Sequence, residues 1–383
     1  MSKLRKIMIV SGTRADYGLL KNIIKTVEAS TTLDLQLVVT GSHLSQTHGY
    51  TVSEIEADGF PIAHRLPILD GVTDVASATG AALVGMQKII SKDRPDIIVV
   101  LGDRYEAFAV ATAALLNHVP LAHIHGGELT LGALDDAFRH SITKMAWLHF
   151  TSAEAYRKRV IHLGESPDRV YNVGAPVIDS IQGINVPMEE LEKILGMKLI
   201  RPIVLATFHP ETCTPGKVRE HVQTVWNGIK QAQPGTVVFT KANADAEGNE
   251  VNALLEELIA KKEIPNSTLV SSLGHRRYLG LMKLADVGLG NSSSLVIEAP
   301  ILGTPTVNIG PRQDGRIRSE TVLDVEFNQE AIAQAIKLAS NLKIQNANKT
   351  VIHPFGSPGV TQRIVEVLTN CELPENLIKA FYE

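Results

Sequence analysis

The stretch from Asp96 to His140, DIIVVLGDRYEAFAVATAALLNHVPLAHIHGGELTLGALDDAFRH, constrains the fold more than any other. Two apolar runs, Ile97 to Leu101 and Val119 to Ile124, each stop abruptly at polar residues. Between them Glu106 to Asn117 is Ala-rich and helical, so the stretch reads as a β-α-β unit. Strands joined in this way end on the same edge of a parallel sheet, where ligands of open α/β folds bind. Asp103, Arg104, His125 and Glu128 stand at that edge, with Asp135, Asp136 and Arg139 at the start of the next helix. Helix capping accounts for Asp103 or Asp135 taken singly, but not for the whole set of ionisable groups.

The same alternation runs along the chain. Strand Lys6 to Val10 leads through Ser11-Gly12-Thr13-Arg14-Ala15-Asp16 into a helix with apolar residues at Leu19, Leu20, Ile23, Ile24 and Val27. A small-residue turn before a helix start suits an anion, because backbone N–H groups point outward there, and Arg14 adds a phosphate-capable fork. Gln46 to Asp70, polar at its start, reads as an irregular loop. There is no GxGxxG and no Walker lysine motif, which argues against a dinucleotide dehydrogenase or a P-loop NTPase. After a boundary in the Gly174 to Pro187 region the pattern restarts with strands Ile203–Thr207, Val237–Thr240, Thr268–Ser271 and Val287–Gly290. With 383 residues, two domains each bury a core. The expectation is two doubly wound α/β domains facing a cleft: residues 1–178, joined by a C-terminal helix in 359–383, and residues 179–358.

Bulk properties narrow the partners. A formal net charge of −4 favours neither nucleic acid nor an anionic membrane. The two cysteines, Cys213 and Cys371, lack metal-ligand spacing, so no metal is expected and a reduced, cytoplasmic protein is the default. The apolar run after the basic N-terminus ends in Gly-Thr-Arg and reads as a first strand rather than a signal peptide. No apolar stretch reaches the roughly 20 residues that a membrane span needs.

A second focus is Gly290-Asn291-Ser292-Ser293-Ser294 through Glu298. Hydroxyls and free N–H groups at a helix start suit diphosphate oxygens, and Glu298 lies far enough along the helix to reach a ribose diol. A simple N-cap would explain Ser292 but not Glu298. His209-Pro210 ends a strand at the same edge, where an imidazole serves a diphosphate as a pole or a general acid. Arg312, Arg316 and Arg318 follow in a loop.

Gly12-Thr13-Arg14-Ala15-Asp16-Tyr17, Gly102-Asp103-Arg104, His123-Ile124-His125-Gly126-Gly127-Glu128, Asp135-Asp136 with Arg139-His140, His209-Pro210 and Gly290-Asn291-Ser292-Ser293 with Glu298 carry a resemblance. In order and over nearly the whole chain, they resemble the hydrolysing UDP-N-acetylglucosamine 2-epimerases of sialic acid biosynthesis. The non-hydrolysing epimerases carry GTRPE-like, GDT-like and HVEAGLR-like motifs, whereas this chain has GTRAD, GDR and HIHGGE. The resemblance implies a GT-B-type fold and conversion of UDP-GlcNAc and water to N-acetylmannosamine and UDP, without a cofactor. It implies catalytic roles for Asp103, Asp135 and His209, and nucleotide contacts by Arg14, Asn243, Ser292, Ser293, Glu298 and Arg312. Some members have HIEGGE where this chain has HIHGGE, so the acid/base role of that Glu rests here on His125 or passes to Glu128.

The C2 proton of an N-acetylhexosamine is too weakly acidic for direct removal. Loss of UDP from C1 with removal of the C2 proton gives a glycal, to which water adds while a proton returns from the opposite face. Carboxylates stabilise the positive charge and exchange protons on two faces. Asp103 is expected to stabilise charge or act as base, with His125, Glu128 and Asp135 serving the second face and the water. Alternatives are the same chemistry on a UDP- or GDP-linked 2,4-diacetamido-trideoxyhexose of a legionaminic acid type pathway, a GT-B glycosyltransferase, and a non-catalytic nucleotide-sugar sensor. A homo-oligomer, dimer or tetramer, is expected.

Overall fold

The computed structural model describes residues 4–46, 50–72, 74–130, 135–181, 183–211, 216–242, 248–345 and 353–383. The chain divides into two compact units, one of residues 1–128, 134–180 and 355–383, the other of 129–133 and 181–354.

The first unit alternates β1 (Arg5–Ser11), α1 (Arg14–Glu28), β2 (Leu33–Thr40), α2 (Val52–Ala57), β3 (Ile62–Leu66), α3 (Val75–Lys92), β4 (Ile97–Leu101), α4 (Tyr105–Leu116), β5 (Leu121–Ile124), α5 (Asp135–Met145), β6 (Leu148–Thr151), α6 (Glu154–His162), β7 (Val170–Asn172) and α7 (Val177–Ile181). Its seven strands lie in the order β3-β2-β1-β4-β5-β6-β7, with parallel pairing throughout. Strand order therefore reverses direction between β1 and β4, the switch point where the loops diverge and leave a crevice. Ile97 to Val100 are fully buried because helices cover both faces of the sheet.

Gln46 to Asp70 is not simply a loop: its described part holds α2 and the edge strand β3. Val52 and Ile55 anchor the short helix, whereas β3 alternates half-buried and exposed residues. An edge strand keeps polar side chains facing water and lacks the apolar run that marks a central strand.

The second unit continues with α8 (Met188–Leu195), β8 (Ile203–Thr207), α9 (Val218–Ala232), β9 (Thr236–Thr240), α10 (Gly248–Ala260), β10 (Ser267–Val270), α11 (His275–Leu284), β11 (Val287–Gly290), α12 (Ser293–Ile301), β12 (Thr306–Ile309), β13 (Val322–Val325) and α13 (Gln329–Gln345). Its order, β10-β9-β8-β11-β12-β13, puts the reversal between β8 and β11. The buried Trp226 and Phe239 rings stack in its core, their centroids 5.9 Å apart.

The last helix, α14 (Val360–Asn370), belongs to the first unit. The Asp179 carboxylate accepts from the backbone N–H of Gly359 at 2.8 Å and of Thr361 at 2.6 Å, capping its start. Arg363 donates to the Val173 carbonyl at 3.0 and 2.7 Å.

Candidate functional site

Each sheet presents a group of polar side chains at the carboxyl ends of its strands. In the first unit Gly102 turns the chain out of β4, and Asp103 forms an ion pair with Arg139 of α5. The guanidinium is only 3% exposed and the carboxylate 22%. A charge pair this dry holds its geometry firmly, because separating it would leave a buried ion without compensation.

His125 follows β5 in a left-handed conformation, φ +66°, with its N–H bonded to the Phe150 carbonyl at 2.9 Å. Its Nδ1 lies 2.7 Å from Oε1 of Glu128. Ser152, beyond β6, donates to the same Oε1 at 2.8 Å. Glu128 and Ser152 are buried, so Glu128 stands behind the imidazole. A carboxylate on Nδ1 selects the tautomer that leaves Nε2 as acceptor. That Nε2 is buried and has no hydrogen-bond partner among the described residues. The neighbouring His123 is structural: its Nε2 donates to the Gly102 carbonyl at 2.7 Å, and burial brings its pKa down to about 3.

Asp135 and Asp136 open α5 as acidic first-turn residues, and Asp136 lies 3.4 Å from Nε2 of His140. Arg104 forks onto Glu106, Nε to Oε2 at 3.1 Å and Nη2 to Oε1 at 3.2 Å. Arg14 is partly buried and lies 3.8 Å from Glu54.

The turn before α1 does not offer the open anion seat that its sequence implies. Asp16 fills it, accepting from the N–H of Gly12 at 3.0 Å, from that of Thr13 at 3.1 Å and from Ser11 Oγ at 2.5 Å. Thr13 and Asp16 form a capping box, and the Thr13-x-x-Asp16 spacing is the sequence signal for it. Burial, opposed by these hydrogen bonds, pushes the Asp16 carboxyl up to about 6.

In the second unit the switch point carries the opposite character. Asn291, fully buried after β11, accepts from the His209 N–H at 2.7 Å and donates to the His209 carbonyl at 2.9 Å and to Oε1 of Glu211 at 3.1 Å. The Asn291 carbonyl accepts from Arg312 Nη1 at 3.1 Å and Gln313 Nε2 at 2.8 Å. One side chain and its peptide thus tie together both strand ends and the arginine loop. Gly290, at φ +130°, permits this: a β-carbon there would lie 2.0 Å from the Thr207 carbonyl oxygen.

Burial and then Arg312 lower the His209 imidazole to about 4, so it is neutral at pH 7 and not a standing positive pole. Its Nδ1 has no partner among the described residues. Ser292 is the N-cap of α12, yet its hydroxyl makes no capping bond. It bonds Ser294 at 3.1 Å, which bonds the Tyr278 hydroxyl at 2.7 Å. The Ser293 hydroxyl bonds no other described residue, and first-turn N–H groups lack intrahelical partners. Glu298, partly buried without a hydrogen-bonding partner among the described residues, is pushed by desolvation up to about 7. Of the loop arginines, Arg318 is bound to Asp314 at 3.1 Å and Asp324 at 2.9 Å. Arg316 lies 3.4 Å from Thr130, in the short segment that belongs to this unit. Asn243 lies outside the described residues.

Ser152, Glu106, Asn291 and Glu211 are the functional-site neighbours to which sequence analysis gives no role. Only Asn291, directly after a strand-ending glycine, carries a local signal. Among the described residues no helix is long and apolar enough to cross a membrane, and no group of three His, Cys, Asp or Glu is placed to hold a metal ion.

Comparison with known proteins adds four findings. The family model of UDP-N-acetylglucosamine 2-epimerases matches residues 25–369. The chain is 42% identical over 332 residues to the GDP/UDP-N,N'-diacetylbacillosamine 2-epimerase (hydrolyzing) of Campylobacter jejuni, covering 86% of each chain. It is 34% identical over 386 residues to the polysialic acid biosynthesis protein P7 of Escherichia coli, covering 99% of this chain and 98% of that one. Among solved structures, UDP-GlcNAc 2-epimerase from Neisseria meningitidis bound to UDP-GlcNAc matches with a TM-score of 0.82 at 19% identity, over 95% of this chain and 99% of that one. This last likeness is one of fold, the GT-B type with two parallel-sheet α/β units.

Proposed function

Because the chain belongs to the UDP-N-acetylglucosamine 2-epimerase family, we propose that it is a hydrolysing 2-epimerase that takes a nucleotide-linked 2-acetamido sugar and water to the free 2-epimer and a nucleoside diphosphate. The observation that carries this reading is the Ser152–Glu128–His125 chain, which leaves Nε2 of His125 without a hydrogen-bond partner among the described residues, at the same sheet edge as the Asp103–Arg139 pair.

In the proposed reaction the C1–O bond breaks with its electron pair leaving on the diphosphate. Nε2 of His125 takes the C2 proton, and a glycal forms. Glu128, bonded to Nδ1, stabilises the resulting imidazolium. Asp103, fixed by Arg139, offsets the oxocarbenium charge at C1. Water then adds its oxygen to C1 and gives its proton to the Asp103 carboxylate, while Asp135, entering the step protonated, delivers a proton to C2 from the opposite face; His125, Asp103 and Asp135 regain their starting states by exchange with solvent. In the second unit Ser292, Ser293, Arg312 and the N–H groups at the α12 N-terminus receive the diphosphate, with His209 donating a hydrogen bond. Glu298 takes the ribose diol. Asp16 and Glu106 make the first unit's switch point acidic, which leaves the second unit's the better seat for an anion.

For the sugar, the 42% identity to the Campylobacter enzyme supports a 2,4-diacetamido-2,4,6-trideoxyhexose. UDP-GlcNAc, giving N-acetylmannosamine for nonulosonic acid synthesis, is the second reading, supported by the family's name and by the Escherichia coli relative. Proton NMR in heavy water with each UDP-sugar and no acceptor tests both. Free UDP with a C2-deuterated 2-epimer is the expected result. A UDP-linked epimer alone would replace hydrolysis with the non-hydrolysing reaction, and UDP release only on adding an acceptor would make the chain a transferase.

A further inference from the structure

Tyr278, on α11, reaches across to the start of α12. Its hydroxyl lies 2.7 Å from Ser294 Oγ, which lies 3.1 Å from Ser292 Oγ. The Thr207 hydroxyl, at the end of β8, stands beside the phenol and bonds Thr240, at the end of β9, at 2.6 Å. The hydroxyls of Thr240, Thr207, Tyr278, Ser294 and Ser292 thus gather between two strand ends and the α12 N-terminus. Burial, and then the nearby Glu298 carboxylate, push the phenol up to about 12, so it keeps its proton at any working pH.

A serine in the N-cap position ordinarily turns its hydroxyl onto the N–H of the second or third helical residue. The Ser292 hydroxyl is turned to Ser294 instead and caps nothing. The N–H groups of Ser293 and Ser294 are left without an acceptor among the described residues. Asn291, the preceding residue, binds the backbone of His209, whose imidazole is buried, with Nδ1 unpartnered among the described residues. Open helix-start donors beside a buried, unpaired imidazole nitrogen suit an anion. Ser294 can hold Ser292 only while it is itself held, because a first-turn serine readily bonds nearby backbone. We propose that Tyr278 is a positioning residue for the nucleotide's diphosphate: by gripping Ser294, and through it Ser292, it keeps the Ser292 hydroxyl off its own helix and leaves the α12 N–H groups open to the anion. This rests on the second unit receiving the diphosphate at α12.

The test is a double-mutant cycle read on ligand affinity. UDP and uridine, and GDP and guanosine, are titrated against the wild type, Tyr278→Phe, Ser294→Ala, and each of these two combined with Ser292→Ala. Tyr278→Phe and Ser294→Ala should each weaken the nucleoside diphosphate by about three- to tenfold, the worth of one hydrogen bond, and leave the nucleoside unchanged. With Ser292→Ala in place no hydroxyl remains to swing back, and neither change should weaken the diphosphate further. A loss shared by diphosphate and nucleoside, a loss that persists on Ser292→Ala, or no loss at all makes Tyr278 a packing residue and spares the proposed function. Ser294→Ala cuts the same chain one link later and decides the matter if Tyr278→Phe fails to fold. A wild type that binds neither UDP nor GDP overturns the positioning role and the proposed function together.

Discussion

His125 holds a backbone conformation that costs an ordinary residue roughly 1–2 kcal/mol, and such strain gathers where a side chain must be aimed. Its imidazole is aimed by Glu128 and, through it, by Ser152. His125→Asn should lower kcat about 10²–10⁴-fold while leaving UDP affinity near the wild-type value, as single-turnover kinetics and UDP titration would report. Full turnover would pass the base role to Asp103. Glu298 gives a pH dependence. With its pKa raised to about 7, it is largely neutral below that pH and ionised above it. A ribose diol donates hydrogen bonds best to the ionised form. The wild-type affinity for UDP should therefore strengthen, relative to Glu298→Gln, as pH rises from 6 to 8. The difference between the two proteins cancels the titration of UDP itself. Parallel affinity curves would remove Glu298 from the ribose.

At the scale of elements, the C-terminal carbonyl end of α5 is tied to the tail. Lys379 Nζ donates to the carbonyls of Lys144 at 2.7 Å and Ala146 at 2.8 Å, and to Oε2 of Glu165 at 2.7 Å. Glu165 is fully buried and also meets Lys144 and His149. Burial alone would raise its pKa, but these three partners outweigh it and hold it near about 2. A depressed folded pKa contributes stability above the unfolded value near 4.5 that is lost as pH falls toward 2. Glu165→Ala should destabilise the protein by about 3–5 kcal/mol at pH 7, because it strands Lys379, and by progressively less in acid. Thermal melts at pH 7 and 3 check this. The central strands were legible because Ile97–Leu101 or Val237–Phe239 can only be buried on both faces. β3 and β13 were not, since each mixes polar and apolar residues over only four or five positions. The strand-end rule likewise put Asp103, His125 and Glu128 just beyond β4 and β5, where they lie. It could not find the Asp103–Arg139 or Glu211–Asn291 partnerships, which join residues 36 and 80 apart along the chain and exist only once the sheets have formed.

At the scale of the molecule, the two units give a calorimetric prediction. A ligand stabilises only the body that binds it, by about 2.7 kcal/mol at a hundred times its dissociation constant. UDP should raise the melting transition of the second unit, and Ser293→Ala with Arg312→Ala should abolish that shift. A shift confined to the first unit would relocate the nucleotide. The division of the chain also sets an order of assembly. Residues 181–354 form an almost unbroken block, whereas the first unit needs its final 29 residues, Phe355 to Glu383, to cover α1 and complete its capping contacts. On the ribosome, the second unit is synthesised in full before the first can close. The first unit's earlier segments are made ahead of the second, but their framework closes only once Phe355 and the segment after it have emerged, so a chain stopped before Phe355 holds the whole second unit and a first unit that lacks α14.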